Sequence, residues 1–367
     1  MKRKKIIIAG GTGFIGQGLI KYFGKENEII VLSRQSGSTQ RNSYSQKLIL
    51  EKDGFNVRYL KWSDETREEA WIKEIDGADL VVNLAGKSVN CRYHRKQKQQ
   101  IFDSRTNSTK AIGKAIRAAS APPKVWINAA SATIYKNTMD RANDEVNGVI
   151  SNWKKDNMPY NFIDELRFRK NRLVARIIHG KDSDAYKELD LDFSVQVCKR
   201  WEKTFFEEDT PATRKVALRA AITLGEGGVI TPYLNLCKFG LGGRHGNGKQ
   251  MFSWVHIEDV AGMIEWISEN ETAQGIYNCV APGVVSNFSF MKKLREVTGN
   301  KIGLPSPSFL LEAGAFMIGT ETELILKSRW VTAARALNEG FVFKYGFLDD
   351  ALKDIISSLP RSKYRLF

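Results

Sequence analysis

The chain has 367 residues, 42% apolar and 26% charged, enough to bury a substantial core in one large α/β unit with a smaller appended lobe. Its four cysteines, Cys91, Cys198, Cys237 and Cys279, are scattered with no C-x-x-C pair, so neither a disulfide framework nor a zinc site is indicated and a reducing cytoplasm is expected. The net charge of +15 is concentrated at 2–5, 92–98 and 167–176 without a helix-turn-helix, RNA-recognition or zinc-finger pattern, which argues against nucleic acid, and the apolar run after Lys5 is too short for a signal peptide or a membrane span.

Ile6, Ile7 and Ile8 predict a first strand, followed at once by Gly10-Gly11-Thr12-Gly13-Phe14-Ile15-Gly16 and an apolar helical pattern. The spacing Gly10-x-x-Gly13-x-x-Gly16 fits a dinucleotide pyrophosphate. The first glycine turns the chain sharply off the strand, the second lets backbone N–H groups approach with no Cβ in the way, and the third lets the helix pack close to the sheet. A helix starting there offers unpaired N–H donors and the positive end of its dipole to an anion. Glycines also mark ordinary turns, but here a strand precedes them and a helix follows.

A second strand is predicted at 28–32, ending in Ser33-Arg34 where NAD-binding folds usually place a carboxylate for the ribose 2′-hydroxyl. A guanidinium is instead a fork of donors suited to a 2′-phosphate, and Ser33 adds a hydroxyl donor, so NADP is expected rather than NAD. The alternative is that Arg34 simply opens a solvated polar loop.

Further strands are predicted at 57–60, 79–84, 124–129 and 216–222, and helices at 65–75, 95–119 and 193–206. This alternation predicts an α/β fold, a Rossmann-type doubly wound parallel sheet covered on both faces. Ala85-Gly86, at the end of the fourth strand, suit the crevice where backbone and cofactor come close. The charged stretch 152–190 reads as an insertion. After a glycine-rich loop at 240–248, a short strand at 251–257 leads to a helix capped near Asp259, and apolar helices alternate with proline turns to a last helix at 351–359. The expected division is a dinucleotide-binding domain over 1–280 and a smaller C-terminal lobe over 281–367 that completes a substrate cleft. His256, Glu258 and Asp259 read as caps rather than metal ligands, and no metal is expected. The loop 242–250 is either a phosphate site built on Arg244 and backbone N–H groups or a plain surface loop.

Several dispersed motifs appear in an order that resembles the extended short-chain dehydrogenase/reductases. They are Gly10 to Gly16, Ser33-Arg34, Asn83 to Gly86, Ser104-Arg105 with Thr109, Ser131 to Tyr135, Val197-Cys198 with Trp201-Glu202, Gly240 to Gly243, Ser253 to Ile257 and Gly340 to Phe343. Within that family the chain is similar to the atypical epimerase-family proteins that carry a C-terminal domain of unknown function. The resemblance implies that Ser33 and Arg34 hold the adenosine 2′-phosphate and that Leu84 and Ala85 lie against the cofactor. It further implies that Gln100 and Arg105 reach the cofactor side of the crevice and that Thr223 lines the nicotinamide end. Against this, Arg105 can be a salt-bridge residue and Thr223 a turn residue.

In typical members a Tyr-x-x-x-Lys pair does the acid–base work, the lysine lowering the tyrosine pKa while hydride moves to the nicotinamide. Counting back from Trp201-Glu202 places Ser194 and Cys198 at those positions, so the pair is absent here, as in the atypical subgroup. Ser131 takes the place of the serine that bonds the substrate oxygen. Tyr135 is either a proton donor activated by a neighbouring cation or part of the wall, and Cys198 reads as an inert core thiol. The resulting expectation is an NADP-dependent oxidoreductase or epimerase-like enzyme acting on a carbonyl or secondary alcohol, with nucleotide sugars as a family analogy. The alternative is a catalytically degenerate NADP(H) sensor. A small-molecule substrate is the expected partner, and a homodimer across a two-fold axis is compatible with this fold.

Overall fold

The computed structural model describes residues 1–34, 54–62, 70–138, 140–153, 169–170, 172–174, 176–178, 180, 191–306 and 327–365. At its centre lies a seven-stranded sheet in the order β3-β2-β1-β4-β5-β6-β10, with every pairing parallel. Its strands are β1 (Lys5–Ala9), β2 (Glu28–Ser33), β3 (Val57–Lys61), β4 (Leu80–Asn83), β5 (Val125–Ser131), β6 (Arg214–Ala220) and β10 (Gly275–Cys279). The order reverses direction between β1 and β4, the kind of switch point at which doubly wound sheets open a crevice.

Strand alternation explains why both faces of this sheet are dry. Ile6, Ile8, Ile29 and Val31 point into a core closed by α1 (Phe14–Phe23) and by α6 (Ile257–Glu269). Ile7, Ala9, Ile30, Leu32 and Val81 point the other way, under α2 (Ala70–Ile75), α3 (Arg95–Ala118) and α4 (Phe193–Glu207), with Trp126 and Phe205 edge to face at 4.7 Å. The helix predicted from residue 65 is described from Ala70 onward, and 63–69 lie outside the described residues.

A third core gathers α5 (Ile230–Lys238), α7 (Asn287–Thr298) and α9 (Leu348–Ser358) around Phe252, Trp254 and Phe290. It therefore draws on residues on both sides of 281. The predicted sixth strand is shorter at its end than expected: it stops at Ala220, and Ile222–Leu224 form a separate strand β7 that pairs with β9 (Trp254–His256). The single strand expected at 251–257 is two, β8 (Met251–Phe252) and β9, with Ser253 between them. β8 pairs with β11 (Val285–Ser286), and the short helix α8 (Ala334–Asn338) precedes α9.

The α6 cap is also displaced by three residues from Asp259. His256 has the extended backbone of an N-cap and its Nδ1 accepts from Glu258 N–H at 3.3 Å. Asp259 is turned inward and accepts from the N–H groups of Lys344 and Tyr345 at 2.6 and 3.1 Å, fastening the chain before α9 onto α6. Most of 152–190 lies outside the described residues; at its ends Trp153 bridges Leu191 and Asp192 N–H donates to Asn152 O at 3.1 Å, so the chain leaves and re-enters at one place. No helix among the described residues is long and apolar enough to cross a membrane.

Candidate cofactor and substrate site

The turn after β1 shows which glycines the fold needs and which it leaves for a ligand. Gly10 has φ +77°, and a Cβ there would sit 2.9 Å from Ala85 N and Leu84 C, so the end of β4 presses directly on the turn. A Cβ on Gly16 would meet Gly11 Cα at 2.4 Å, which is how α1 comes so close to the strand. Gly11 is buried under Val31. Gly13 is different. It is exposed, and its missing Cβ would touch only Gly10 O, at 3.3 Å. It is also the N-cap of α1, with no side-chain cap and no acid in the first turn, so the N–H groups beginning at Phe14 and Ile15 face outward beside exposed Thr12.

The edge of this cradle is set by a buried amide network. Asn83 Nδ2 donates to Asn128 Oδ1 at 2.7 Å and reaches Thr109 Oγ1 at 3.3 Å, while Asn83 Oδ1 accepts from Ala85 N–H at 3.1 Å. Trp201 Nε1 donates to the same Thr109 hydroxyl at 3.2 Å. Leu84 N–H donates to Ala9 O at 2.8 Å. Together these bonds place Leu84 and Ala85 against Gly10, at the edge of the turn.

Arg105, on α3, lies across Gly86: a Cβ on that glycine would be 3.1 Å from Cζ. Its Nη1 donates to Lys87 O and Ile101 O, both at 3.1 Å, and the guanidinium stacks over Trp201 at 5.0 Å. Among the described residues no carboxylate pairs with it, and burial pulls its pKa below the ordinary value. It is half-buried, held by two backbone carbonyls and the Trp201 ring. Gln100 is on the same helix, five residues before, and accepts from Lys87 Nζ at 2.8 Å. Ser33 is half-buried and Arg34 exposed, immediately after β2. Thr223 sits on β7, 9% exposed, opposite Val255 of β9.

At the end of β5, Ser131 Oγ accepts from Thr133 N–H at 3.2 Å and lies 3.1 Å from Thr133 Oγ1, capping the single turn Ala132–Ile134. Tyr135 follows, 1% exposed. Its hydroxyl accepts from Arg219 Nη1 at 2.7 Å and donates to Asn278 Oδ1 at 3.0 Å. Burial pushes the phenol pKa up, and Arg219 only partly offsets this. Arg219 is held in turn by a bidentate pair with Glu202, both bonds 2.7 Å. Burial opposes that charge, but the Glu202 bonds leave the guanidinium above its ordinary pKa. Cys198 is buried at the place of the absent lysine, its thiol pushed up to about 12 by burial, and so is not a thiolate. Ser194 is half-buried one turn before it.

Gly10, Leu84 and Ala85 thus lie together, with Arg105 beyond them across Gly86. The Arg219–Glu202 pair is not anticipated from the sequence, although an arginine inside the apolar run of β6 is a visible signal, since a charge on a central strand requires a partner. Among the described residues no group of three or more His, Cys, Asp or Glu is placed to hold a metal ion.

Comparison with known proteins agrees with this architecture. The NAD dependent epimerase/dehydratase family matches residues 6–161, and the domain of unknown function DUF1731 matches residues 306–355. The epimerase family protein YfhF of Bacillus subtilis is 28% identical over 353 residues, covering 96% of this chain and 98% of its own. The crystal structure of human epimerase family protein SDR39U1 with NADPH superposes with a TM-score of 0.70 at 24% identity, over 97% of this chain and 100% of that one. A UDP-N-acetylglucosamine 4-epimerase from Methanobrevibacter ruminantium, in complex with UDP-N-acetylmuramic acid, gives a TM-score of 0.66 at 14% identity over 97% of this chain and 98% of its own. The chain thus carries an NAD dependent epimerase/dehydratase domain over residues 6–161 and a DUF1731 domain over residues 306–355.

Proposed function

We propose that the protein binds NADP(H) and acts as an oxidoreductase or epimerase-like enzyme on a carbonyl or secondary alcohol. The observation that carries this reading is the exposed, Cβ-free N-terminus of α1 at Gly13, uncapped and unopposed by acid, beside a β2 end that offers Ser33-Arg34 instead of a carboxylate. Gly10 to Gly16 would cradle the pyrophosphate, Ser33 and Arg34 would hold the 2′-phosphate, and Leu84 and Ala85 would lie against the cofactor. Gln100 and Arg105 would meet the cofactor from α3, and Thr223 would line the nicotinamide end. The NADPH in the human neighbour's crystal structure and the UDP-N-acetylmuramic acid in the Methanobrevibacter one support this choice of cofactor and of first substrates to try.

Bound nicotinamide supplies the hydride acceptor or donor. Ser131 is the residue assigned to the substrate oxygen. Tyr135 is not assigned proton transfer: its hydroxyl is occupied by Arg219 and Asn278 and its pKa is raised. That occupation favours a second reading, a cofactor-binding sensor without turnover. Absorbance at the NADPH band against a panel of nucleotide sugars and small carbonyls separates the two. Oxidation that is lost in Ser131→Ala supports the enzyme; tight NADPH binding with no oxidation by any compound supports the sensor.

A further inference from the structure

Large apolar side chains exposed one at a time need no account, but a group of them around one residue does. Gly240 follows α5 with φ +76°, and its neighbours Phe239 and Leu241 are 64% and 39% exposed. Against it lies the segment that follows α7. Leu304 N–H donates to Gly240 O at 2.9 Å, Gly243 N–H donates to Leu304 O at 3.0 Å, and Ile302 Cγ2 stands 3.4 Å from where a Gly240 Cβ would be. Ile302 and Leu304 are themselves 64% and 58% exposed.

The stretches that bring these side chains together carry charge of one sign. Residues 227–257 hold Lys238, Arg244 and Lys249, residues 297–306 hold Lys301, and residues 355–367 hold Arg361, Lys363 and Arg365, while none of the three contains Asp or Glu. They meet in space: Lys238 Nζ donates to Ser362 O at 2.8 Å, Asn300 Nδ2 to Tyr364 O at 3.0 Å and Arg365 Nε to Thr298 O at 2.8 Å. Arg244, Lys249, Lys301, Arg361 and Lys363 are exposed. Glu296, which precedes the second stretch on α7, is 3.8 Å from Lys292.

The glycines of the 240–248 loop are filled by the chain itself. A Cβ on Gly242 would lie 2.7 Å from Cys237 Sγ, and one on Gly243 would lie 2.5 Å from Leu304 O. Gly246 N–H donates to Ser306 O and Ser306 N–H to Arg244 O, at 3.0 and 2.9 Å, so the two segments pair their backbone groups with each other. What they turn outward is apolar tips among ammonium and guanidinium groups. A peptide partner needs a hydrogen-bonding register; a bilayer surface needs none, and it takes up aromatic and aliphatic tips below its headgroups and cations among them.

We propose that this face, built on Phe239, Leu241, Ile302 and Leu304 and edged by cations, binds the protein to the surface of a bilayer rich in anionic lipid. The four tips enter the boundary between headgroups and acyl chains, and the lysines and arginines meet the lipid phosphates. The contact is with a bilayer surface, not a crossing of one, and it does not depend on the cofactor.

The test is co-sedimentation of the full chain with vesicles of phosphatidylcholine alone and of phosphatidylcholine with phosphatidylglycerol in equal parts. The expected result is binding to the second and little to the first, weakened by added salt. Lys301→Glu with Arg361→Glu should lower the affinity about tenfold or more, and Phe239→Ser with Ile302→Ser about tenfold, at unchanged melting temperature. Lys110→Glu with Lys114→Glu, both exposed on α3, makes the same change in net charge and should stay within about twofold of the unaltered chain. Equal losses in the two charge-reversed variants make the binding a property of net charge alone. A fall in melting temperature on Phe239→Ser with Ile302→Ser means that the chain itself covers these side chains, and a dimer in sedimentation equilibrium that this variant abolishes makes the face a protein interface. Each of these outcomes overturns the proposal, as does failure to bind the anionic vesicles.

Discussion

The two ends of the crevice treat their polar groups in opposite ways. At the glycine turn the binding groups are left available: Gly13 is exposed, α1 has no side-chain cap and Arg105 has no carboxylate among the described residues. Past β5 the polar groups are used on each other: Tyr135, Arg219, Glu202 and Asn278 form one closed buried set. On the proposed reading, the first end would receive an anion at little reorganisation cost. The second is built to hold the ends of β5, β6 and β10 in place.

The largest expected effect is at the closed end. Glu202→Gln leaves the Arg219 guanidinium buried without its counter-charge and should destabilise the protein by about 3–5 kcal/mol, whereas the apolar double change Glu202→Leu with Arg219→Met should recover much of that. Chemical denaturation of the three proteins measures it. If Glu202→Gln alone costs almost nothing, the set is not the anchor described here.

The pH dependence should come from a different buried residue. His245 is fully buried, stacked on Tyr233 at 5.5 Å, and among the described residues neither ring nitrogen has a hydrogen-bond partner. Burial lowers its pKa to about 4 from the ordinary 6.5. Between those values the unfolded chain binds a proton that the folded chain does not. Its contribution is therefore intact above about pH 6.5 and falls as pH drops towards 4, by on the order of 3 kcal/mol. Melting curves across that range should be steeper in pH for the unaltered chain than for His245→Leu; parallel curves would refute the assignment.

A smaller effect on stability separates the two kinds of glycine. Gly10→Ala combines a positive φ with a clash against the backbone of Leu84 and Ala85, and should unfold the turn along with cofactor binding. Gly13→Ala meets only Gly10 O, and should cost less than about 1 kcal/mol in stability while weakening NADPH binding about tenfold or more. Equal losses of stability in both variants would remove the distinction between structural and ligand-facing glycines.

What could be read in the sequence follows from how local its cause is. The strands β1, β2 and β4 and the glycine turn are written in consecutive residues, because period-two burial and positive φ are properties of short segments. Asp259 is a good capping type, yet the cap of α6 is His256, three residues earlier, and only the fold reveals that the Asp259 carboxylate is bound to the N–H groups of Lys344 and Tyr345 instead. Arg219 meeting Glu202 and Lys327 meeting Asp192 depend on pairings between distant elements, the latter across 135 positions, and no periodicity encodes them. For Arg105 the sequence leaves two readings open, and the fold adds only its contacts with the carbonyls of Lys87 and Ile101 and with the Trp201 ring.

The central claim is that the open end of the crevice is a site for a 2′-phosphorylated dinucleotide. Calorimetry on the full chain with NADPH and with NADH, repeated on Arg34→Glu, tests it most directly. The account predicts tighter binding of NADPH, with that preference lost or reversed in Arg34→Glu while the fold is unchanged; a chain that binds neither nucleotide, or prefers NADH before any substitution, would contradict it.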